Sequence, residues 1–199
     1  QVKPDVVISF WIHPLFYGLP LLKLLNIKFF YSLRNDPQKN YSKISKWMLD
    51  KVLNNCSGAV FQTHDAMRYF DEYISAKSEV IYNPTYIRYN DYPIPTNRRN
   101  VIVNVGRLNP QKNQRLLIEA FAVIANKYPD LGLEIYGEGP LRKELDELII
   151  DRGLSKRIRM MGTTSHILDK VYGARLFVMT SDYEGLPNAL IEAMCLGTP

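Results

Sequence analysis

The sequence contains little cysteine and no long hydrophobic run. Its 199 residues include two cysteines, Cys56 and Cys195, which lie far apart in segments with a helical pattern. A disulfide framework or a cysteine-bound metal cluster therefore has no support, and a reducing, cytoplasmic compartment is favoured. The most apolar stretch near the start, residues 15–25, is interrupted by a glycine, a proline and a lysine. It is too short and too broken to span a bilayer.

Acidic residues are scarce in the first half of the chain. Residues 1–99 hold 13 Lys and Arg against 8 Asp and Glu, whereas residues 100–199 hold 12 of each, so the first half supplies the whole net charge of +5. A basic half predicts either an ordinary solvated surface or contact with an anionic substrate or membrane headgroups. Nucleic acid is not expected as a partner, because the basic residues form no dense cluster interleaved with aromatics.

Short apolar runs alternate with amphipathic segments along the whole chain. This alternation predicts the α/β class, with doubly wound parallel sheets covered by helices. In the first half the predicted strands are Val6–Phe10, Ile27–Ser32, Gly58–Gln62 and Glu79–Tyr82. One of the helices between them carries Ile44, Trp47, Met48 and Val52 on one face.

Residues 83–100 break the pattern, with three prolines, four asparagines and no apolar periodicity. They predict an inter-domain linker, which gives a first domain at 1–84, a linker at 85–100 and a second domain at 101–199. The strands predicted in the second domain are Val101–Val105, Gly132–Tyr136, Arg157–Met161 and Leu176–Thr180. The helices predicted there are Gln114–Lys127, Pro140–Ile150, Ile167–Ala174 and Asn188–Leu196, with Gly153 and Gly197 closing two of them.

The two ends of the sequence suggest that both domains are incomplete. The chain begins with Gln1 and stops after Gly197-Thr198-Pro199, where a further strand is expected. A doubly wound domain usually needs five or six strands. We therefore expect the first domain to lack its opening βαβ unit and the second to lack its closing elements.

A basic loop follows the first strand of the second domain, in the segment Gly106-Arg107-Leu108-Asn109-Pro110-Gln111-Lys112-Asn113. Open α/β sheets bind ligands at the carboxyl ends of their strands, and an Arg followed by a Lys five residues later can hold two phosphates. Gly106 allows the tight turn before Arg107. The alternative is a plain strand-to-helix loop with two solvated cations.

A second loop, Ser181-Asp182-Tyr183-Glu184-Gly185-Leu186-Pro187, leads into the helix that starts at Asn188. The amides of Asn188, Ala189 and Leu190 are predicted to point out of the helix N-terminus, which would form an anion site. Glu192 falls on an otherwise apolar helix, where an unpaired carboxylate is costly. It therefore needs hydroxyl donors such as those of a ribose, unless it is paired with an Arg or simply exposed.

Together these segments resemble the retaining glycosyltransferases of family 4. The resemblance rests on Gly106-Arg107-Leu108 with Gln111-Lys112-Asn113, on Tyr136-Gly137-Glu138-Gly139, and on Glu184 and Glu192 with seven residues between them. It spans residues 100–199, and the first half matches more loosely through residues 4–9 and Asn83-Pro84. The resemblance implies the GT-B fold, with two Rossmann-like domains that are both incomplete here.

The resemblance also implies a role for each matching residue. Glu184, Arg107 and Lys112 would be catalytic, with Glu184 facing the sugar and the two cations on the donor diphosphate. Glu192 would bind the ribose, and the donor site would be completed by Gly106, Gly137, Gly139, Gly185, Leu186, Asn188, Ala189 and Leu190. At predicted strand ends, His13 and Arg34 are the acceptor-side candidates. A UDP- or GDP-linked sugar would be the co-substrate, with no other cofactor and no metal.

The implied reaction moves a sugar to a glycan or a lipid-linked saccharide, with peripheral contact between the basic half and the inner face of the cell membrane. The fragment alone would not transfer sugar. Another enzyme of the same fold, such as a sugar-nucleotide epimerase or a phosphorylase, and a non-catalytic nucleotide-sugar-binding module remain alternatives.

Two competing motifs are weaker. Gly137-Glu138-Gly139 resembles a dinucleotide fingerprint, but Arg142 stands where the third glycine belongs. Asp182-Tyr183-Glu184 resembles the acidic pair of metal-dependent transferases, but its neighbours are those of the metal-independent family.

Overall fold

A computed structural model describes residues 4–38, 42–70, 74, 76–87, 91–93 and 95–199 of the chain. Its contacts divide the chain into two units, Gln1–Pro84 with Glu184–Leu186, and Thr85–Tyr183 with Pro187–Pro199. The sequence analysis instead predicted a separate linker at 85–100 and a second domain that included 184–186.

Residues of the predicted linker pack on the second unit. Arg98 donates to the backbone oxygens of Tyr172 and Gly197, at 3.0 and 2.6 Å. The ring of Tyr92 lies 5.2 Å from that of Tyr172 in an edge-on arrangement. An irregular segment can be held by single side-chain contacts such as these, which leave no periodic pattern in the sequence.

The first unit is a four-stranded parallel sheet in the order β1-β2-β3-β4. Its strands are β1 Val6–Ser9, β2 Lys28–Leu33, β3 Gly58–Phe61 and β4 Ser78–Val80, and its helices are α1 Ile12–Leu24, α2 Lys43–Asn55 and α3 His64–Arg68. All four strands lie within a few residues of the predicted ones.

Local signals in the sequence explain the helices of this unit. The Ser42 hydroxyl accepts a hydrogen bond from the Ser45 amide at 3.2 Å and caps α2. The inward sides of α1 and α2 pack on the sheet and form its core through Ile12, Leu15, Leu19, Met48, Leu49, Val52 and Leu53. Within the described residues, no helix combines the length and the apolarity that a bilayer crossing requires.

The second unit is also a four-stranded parallel sheet, in the order β7-β6-β5-β8. Its strands are β5 Arg99–Val105, β6 Gly132–Tyr136, β7 Ile158–Gly162 and β8 Ala174–Phe177. Its helices are α4 Gln114–Ala125, α5 Arg142–Asp151, α6 Ile167–Tyr172 and α7 Asn188–Cys195. The α/β class with parallel sheets is therefore confirmed in both units.

Several predicted boundaries in this unit differ from the observed ones by two or three residues. Helix α5 begins at Arg142 rather than Pro140, because the preceding turn is fixed by a hydrogen bond from the Leu141 amide to the Leu108 oxygen, at 3.1 Å. Strand β8 begins and ends earlier than predicted. Gly153 and Gly197 have φ angles of 68° and 63°, which confirms that they close helices in the left-handed conformation.

Helices cover both faces of this sheet, as in a doubly wound fold. Ile102 packs with α4 and α5 on one face, while Val101 and Val103 pack with α6 and α7 on the other. The chain runs from β5 outward through β6 to β7 and then returns to β8 on the other side of β5. The carboxyl ends of β5 and β8 therefore flank the topological switch point, where such sheets bind ligands.

A buried carboxylate on β6 stabilises this sheet. Glu134 is 3% exposed and accepts hydrogen bonds from Arg99 at 3.0 Å and from Arg159 at 3.3 Å. The Tyr136 hydroxyl donates to the same carboxylate at 3.0 Å. Burial, together with this bond to Glu134, raises the pKa of Tyr136 to about 12. Two cations and a neutral hydroxyl thus compensate the buried charge.

The glycine loop after β6 lies against the loop after β5. The Gly106 amide donates to the Tyr136 oxygen at 2.9 Å, and the Leu108 amide donates to the Glu138 oxygen at 3.0 Å. Gly137 has a φ angle of 137°, and a Cβ there would lie 1.9 Å from the Gly106 oxygen. The absence of a side chain at 137 therefore allows the two loops to touch.

Replacing Glu134 by Ala should lower the free energy of unfolding of the second unit by about 2 kcal/mol, because three donors lose a charged acceptor. The matched control is Glu144→Ala, which removes a half-exposed carboxylate that pairs with Arg115 at 2.8 Å. That change should lower the free energy of unfolding by less than about 1 kcal/mol. Urea-dependent hydrogen exchange of the β6 amides measures this unit alone. Equal losses in the two variants would contradict the assigned role of Glu134.

Replacing Gly137 by Ala should destabilise the second unit by at least about 3 kcal/mol, because the new Cβ meets backbone oxygen. Gly153→Ala is the control, since Gly153 also has a positive φ but nothing lies within 4 Å of its added Cβ. The control substitution should lower the free energy of unfolding by only about 1 kcal/mol. Hydrogen exchange of β5 and β6 compares the two. A Gly137→Ala protein as stable as Gly153→Ala would show that the loops need no close approach.

Candidate functional site

The loops that follow β5 and β8 are hydrogen-bonded to each other at the switch point. The Thr180 hydroxyl donates to the backbone oxygens of Lys112 and Asn113, at 3.2 and 3.0 Å. The Asp182 amide donates to the Gln111 oxygen at 2.9 Å. The two segments singled out in the sequence therefore form one surface.

Asp182 belongs to this junction. Its carboxylate accepts a hydrogen bond from the Asn113 side-chain amide at 2.8 Å. Asn113 is left-handed, with φ 47°, and its side-chain oxygen caps α4 by accepting from the Leu116 amide at 3.3 Å. Among the described residues, no group of three or more His, Cys, Asp and Glu side chains could hold a metal ion. That the site needs no metal remains a prediction.

The two predicted phosphate ligands both lie on the loop after β5. Arg107 is exposed, and its guanidinium makes no ion pair or hydrogen bond with any residue in the described part of the chain. Lys112 is half-buried, and its aliphatic carbons lie 3.5 Å from the position of a Cβ built on Gly106. A Cβ at position 106 would therefore meet the Lys112 side chain at ordinary van der Waals distance.

A buried side-chain amide is hydrogen-bonded to the backbone of this loop. Gln114 is 1% exposed, and its Nε2 donates to the Arg107 backbone oxygen at 3.2 Å. The sequence analysis missed this residue. The available signal was its position on α4, where Leu117, Ile118 and Phe121 mark the buried side and a polar residue is unexpected.

The glycine loop serves packing within this unit. A Cβ on Gly139 would lie 2.3 Å from the Leu108 oxygen, so both predicted glycines meet the loop after β5. Arg142, at the place of the missing third glycine, donates to Glu138 at 3.1 Å and to Asp146 at 2.9 Å. An ion-paired side chain at that position does not fit a dinucleotide fingerprint.

The N-terminus of α7 differs in one respect from the prediction. No side chain caps the helix at Pro187, as an open anion site requires. The amide of Leu190, however, donates to the Pro187 oxygen at 3.2 Å. The expectation that it points outward was therefore wrong, and Asn188 and Ala189 carry the first amides of the helix.

Glu192 lies on α7, half-buried rather than enclosed. Ala193 and Leu196 face the core, but Met194 is exposed. One side of α7 is therefore in contact with water, which the apolar sequence of the helix did not indicate. Burial raises the pKa of the Glu192 carboxyl. No described residue forms an ion pair or hydrogen bond with this side chain. The Arg-paired alternative is therefore not observed, and the carboxylate is available to a polar ligand.

Glu184, Gly185 and Leu186 are grouped by their contacts with the first unit. There Glu184 and Gly185 line a cavity of about 290 Å³ with polar neighbours that include Asn35, Asp36, Gln62, Thr63 and Asp65. A Cβ on Gly185 would lie 2.3 Å from the Arg34 oxygen. Hydroxyl groups of a saccharide would find both donors and acceptors in such a cavity.

The two acceptor-side candidates line one cavity of the first unit. His13 and Arg34 face a space of about 470 Å³ beside Trp11 and Tyr31. Three contacts orient Arg34, which donates to the Asn83 side-chain oxygen at 2.6 Å and to the Ser32 hydroxyl at 3.2 Å and stacks over Phe10 at 5.1 Å. Arg34 directly follows β2, but His13 lies in the first turn of α1 rather than at a strand end, and the acceptor-side role of both stays a prediction.

Comparison with known proteins gives glycosyltransferases, as the resemblance implied. Residues 92–199 match the family described as Glycosyl transferases group 1. An uncharacterised glycosyltransferase of Methanocaldococcus jannaschii is 29% identical over 224 residues, covering 100% of this chain and 55% of that protein. An undecaprenol-diphosphate-saccharide N-acetylgalactosaminyltransferase of Campylobacter jejuni is 37% identical over 93 residues, covering 47% of this chain and 25% of that protein.

Solved structures share the fold. The Anabaena protein HepE, in complex with UDP and glucose, superposes with a TM-score of 0.83 at 21% identity, over 98% of this chain and 58% of that one. The fold is that of the GT-B glycosyltransferases. The chain spans about half the length, or less, of the curated relatives that it matches. Because the family match covers more than half of its residues, the chain belongs to the group 1 glycosyltransferases.

Proposed function

We propose that the chain is part of an enzyme that transfers a hexose-type sugar from a UDP- or GDP-linked donor to an acceptor, with retention of the anomeric configuration. The observation that carries the proposal is the hydrogen-bonded junction of the loops after β5 and β8. This junction holds Arg107 and Lys112 at the switch point of the second unit. Two cations on a fixed loop suit a diphosphate.

In this proposal the donor diphosphate lies on the loop after β5. Arg107 and Lys112 bind its oxygens, and the first amides of α7, from Asn188 and Ala189, contribute to the same anion site. Each charge-assisted contact contributes about 1.5 to 3 kcal/mol. The HepE structure was solved with UDP, which supports a uridine nucleotide ahead of a guanosine one.

Glu192 and Glu184 bind different parts of the donor. Glu192, which lacks a partner among the described residues, accepts hydrogen bonds from the ribose hydroxyls. Glu184 faces the sugar ring, as the family resemblance implies. Saccharide hydroxyls are suited to the amide and carboxylate groups of the cavity that it lines.

The reaction breaks the bond between the anomeric carbon and the β-phosphate oxygen and forms a bond from that carbon to an acceptor oxygen. The acceptor hydroxyl loses its proton to the leaving phosphate oxygen on the same face of the sugar. Arg107 and Lys112 act because negative charge grows on the phosphate as it leaves, so their contacts strengthen in the transition state. No metal and no further cofactor takes part.

The proposed acceptor is a glycan or a lipid-linked saccharide in polysaccharide biosynthesis. The name of the Campylobacter relative specifies a diphospho-undecaprenol-linked acceptor, which supports the lipid-linked class. The cavity with His13 and Arg34 is the proposed acceptor side, where the guanidinium suits an anionic group.

Replacing Arg107 or Lys112 by Ala should weaken UDP binding by about tenfold each, because each change removes a charge-assisted phosphate contact. Isothermal titration calorimetry measures the affinity. The matched ligand is uridine, which carries no phosphate, so its weak binding should stay the same in both variants. In the full gene product, each change should reduce kcat/KM on the order of tenfold to a thousandfold.

Arg115→Ala is a matched control on the neighbouring helix, since that guanidinium pairs with Glu144 away from the loop. It should leave UDP affinity unchanged. If Arg107→Ala and Lys112→Ala bound UDP as the wild type does, the phosphate assignment would be wrong.

Replacing Glu192 by Ala should weaken UDP and uridine binding alike, because both ligands lose the ribose contact. Glu184→Gln should instead lower turnover of the full gene product with little effect on UDP affinity, since its contact is with the sugar. Glu138→Gln supplies a carboxylate control that is paired with Arg142. Binding titrations and steady-state rates separate these effects.

Metal independence has its own test. UDP affinity and sugar transfer should persist in excess EDTA, because the diphosphate is neutralised by side chains and amides. Activity abolished by EDTA and restored by manganese, together with an unaffected Glu192→Ala variant, would favour a metal site at Asp182 and Glu184 instead.

A further inference from the structure

The loop that carries Glu184 is hydrogen-bonded to a side chain of the first unit. The Asn83 Nδ2 donates to the Leu186 backbone oxygen at 3.2 Å. Asn83 is half-buried and lies three residues beyond the end of β4. It belongs to the Asn83-Pro84 pair, to which the family resemblance gave no role. Because residues 184–186 are grouped with the first unit by their contacts, this bond fixes the loop within that unit.

Two further side chains orient Asn83. The Arg34 Nη1 donates to the Asn83 Oδ1 at 2.6 Å. Gln62 is 5% exposed and is bonded to Asn83 in both orientations of its terminal amide. It donates to Oδ1 at 2.6 Å in one orientation and accepts from Nδ2 at 2.8 Å in the other. Arg34 and Gln62 directly follow β2 and β3, so the three side chains meet at the carboxyl ends of neighbouring parallel strands.

The chemistry of the partners determines how the Asn83 amide is turned. A guanidinium can only donate hydrogen bonds, and a backbone oxygen can only accept them. The Asn83 Oδ1 must therefore face Arg34, and its Nδ2 must face the Leu186 oxygen. An aspartate at position 83 would suit Arg34 but would place a second acceptor against the Leu186 oxygen. This position thus requires a side chain that both donates and accepts.

The same loop approaches the backbone of the first unit closely. A Cβ on Gly185 would lie 2.3 Å from the Arg34 oxygen and 2.8 Å from the Gln62 Oε1. The neighbouring residue, Glu184, lines the polar cavity of about 290 Å³ together with Gln62. A shift of the loop away from Asn83 would therefore also move the Glu184 carboxylate relative to this cavity.

We propose that Asn83 is a positioning residue of the sugar transfer, which holds the loop 184–186 so that Glu184 stays at the polar cavity. Arg34 and Gln62 contribute by orienting the Asn83 amide. The inference rests on the proposed function, because it takes Glu184 to be the group that faces the sugar. Asn83 acts through Glu184, so its replacement should lower turnover and leave donor binding unchanged.

The bond from Asn83 to Leu186 can be observed without any activity. Isotope labels on leucine carbonyl carbons and proline nitrogens select the Leu-Pro pairs of this chain, which are Leu19-Pro20 and Leu186-Pro187. In a carbon–nitrogen correlation spectrum, Asn83→Asp should move the Leu186 carbonyl resonance upfield, because its hydrogen bond is lost. The Leu19 resonance should stay in place and serves as the internal reference.

Asn54→Asp is the matched control for this experiment. The Asn54 Nδ2 also donates to a backbone oxygen, that of Asp50 at 2.8 Å, but it does so on the exposed side of α2. The control therefore makes the same chemical change in the same unit, away from the loop. It should move neither of the two carbonyl resonances.

Steady-state kinetics of the full gene product measure the consequence for the reaction. Asn83→Asp and Asn83→Ala should each lower kcat on the order of tenfold to a hundredfold, because small displacements of reacting groups reduce rates by such factors. Gly185→Ala should lower kcat by a similar factor, since its Cβ displaces the same loop. UDP affinity should stay at the wild-type value in the Asn83 variants, and Asn54→Asp should turn over like the wild type.

A double-mutant cycle separates positioning from a general effect on the fold. Because Asn83 acts through Glu184, the double variant Asn83→Asp with Glu184→Gln should be little slower than Glu184→Gln alone. A side chain that only stabilises the unit would lower kcat by the same factor in both backgrounds. Circular dichroism of all variants should match that of the wild type.

Three outcomes would overturn the inference. They are a Leu186 resonance that Asn83→Asp leaves in place, rate losses that multiply in the double variant, and UDP affinity that falls as much as kcat. Failure of the proposed function gives a different result. A shifted Leu186 resonance, together with a Glu184→Gln enzyme that turns over like the wild type, would reject the assigned role of Glu184. An unmoved resonance with a slow Glu184→Gln enzyme would reject this inference alone.

Discussion

The segment 106–113 is hydrogen-bonded on two sides, and the proposed donor site of the second unit depends on this double attachment. On one side its amides at Gly106 and Leu108 bind the backbone after β6. On the other, Thr180 and Asp182 bind the backbone of residues 111–113. The backbone that carries Arg107 and Lys112 is therefore held on both sides of the loop.

The same attachment explains which residues must lack a side chain. Gly137 and Gly139 leave no room for a Cβ beside the backbone of 106 and 108, whereas Gly106 has ordinary clearance. Two carboxylates of the second unit differ in burial and pairing. Glu134 is buried and fully paired, but Glu192 is half-buried and lacks a partner among the described residues. Paired carboxylates hold the sheet, and the unpaired one is available to a ligand.

The first unit presents its chemistry at two separate places. Glu184 lines a polar cavity, whereas His13 and Arg34 lie in a second cavity with the aromatic side chains of Phe10, Trp11 and Tyr31.

Sequence alone determined the α/β class, the eight strands to within a few residues, the loop that carries Arg107 and Lys112, and the helix that carries Glu192, because strand alternation and glycine punctuation are local signals. It could not find Thr180, whose hydroxyl contacts backbone oxygens 67 and 68 residues away. It also misjudged the Leu190 amide and the segments 85–100 and 184–186. Those features depend on which groups meet after folding, and only the tertiary structure decides such contacts, since they join residues far apart in the chain.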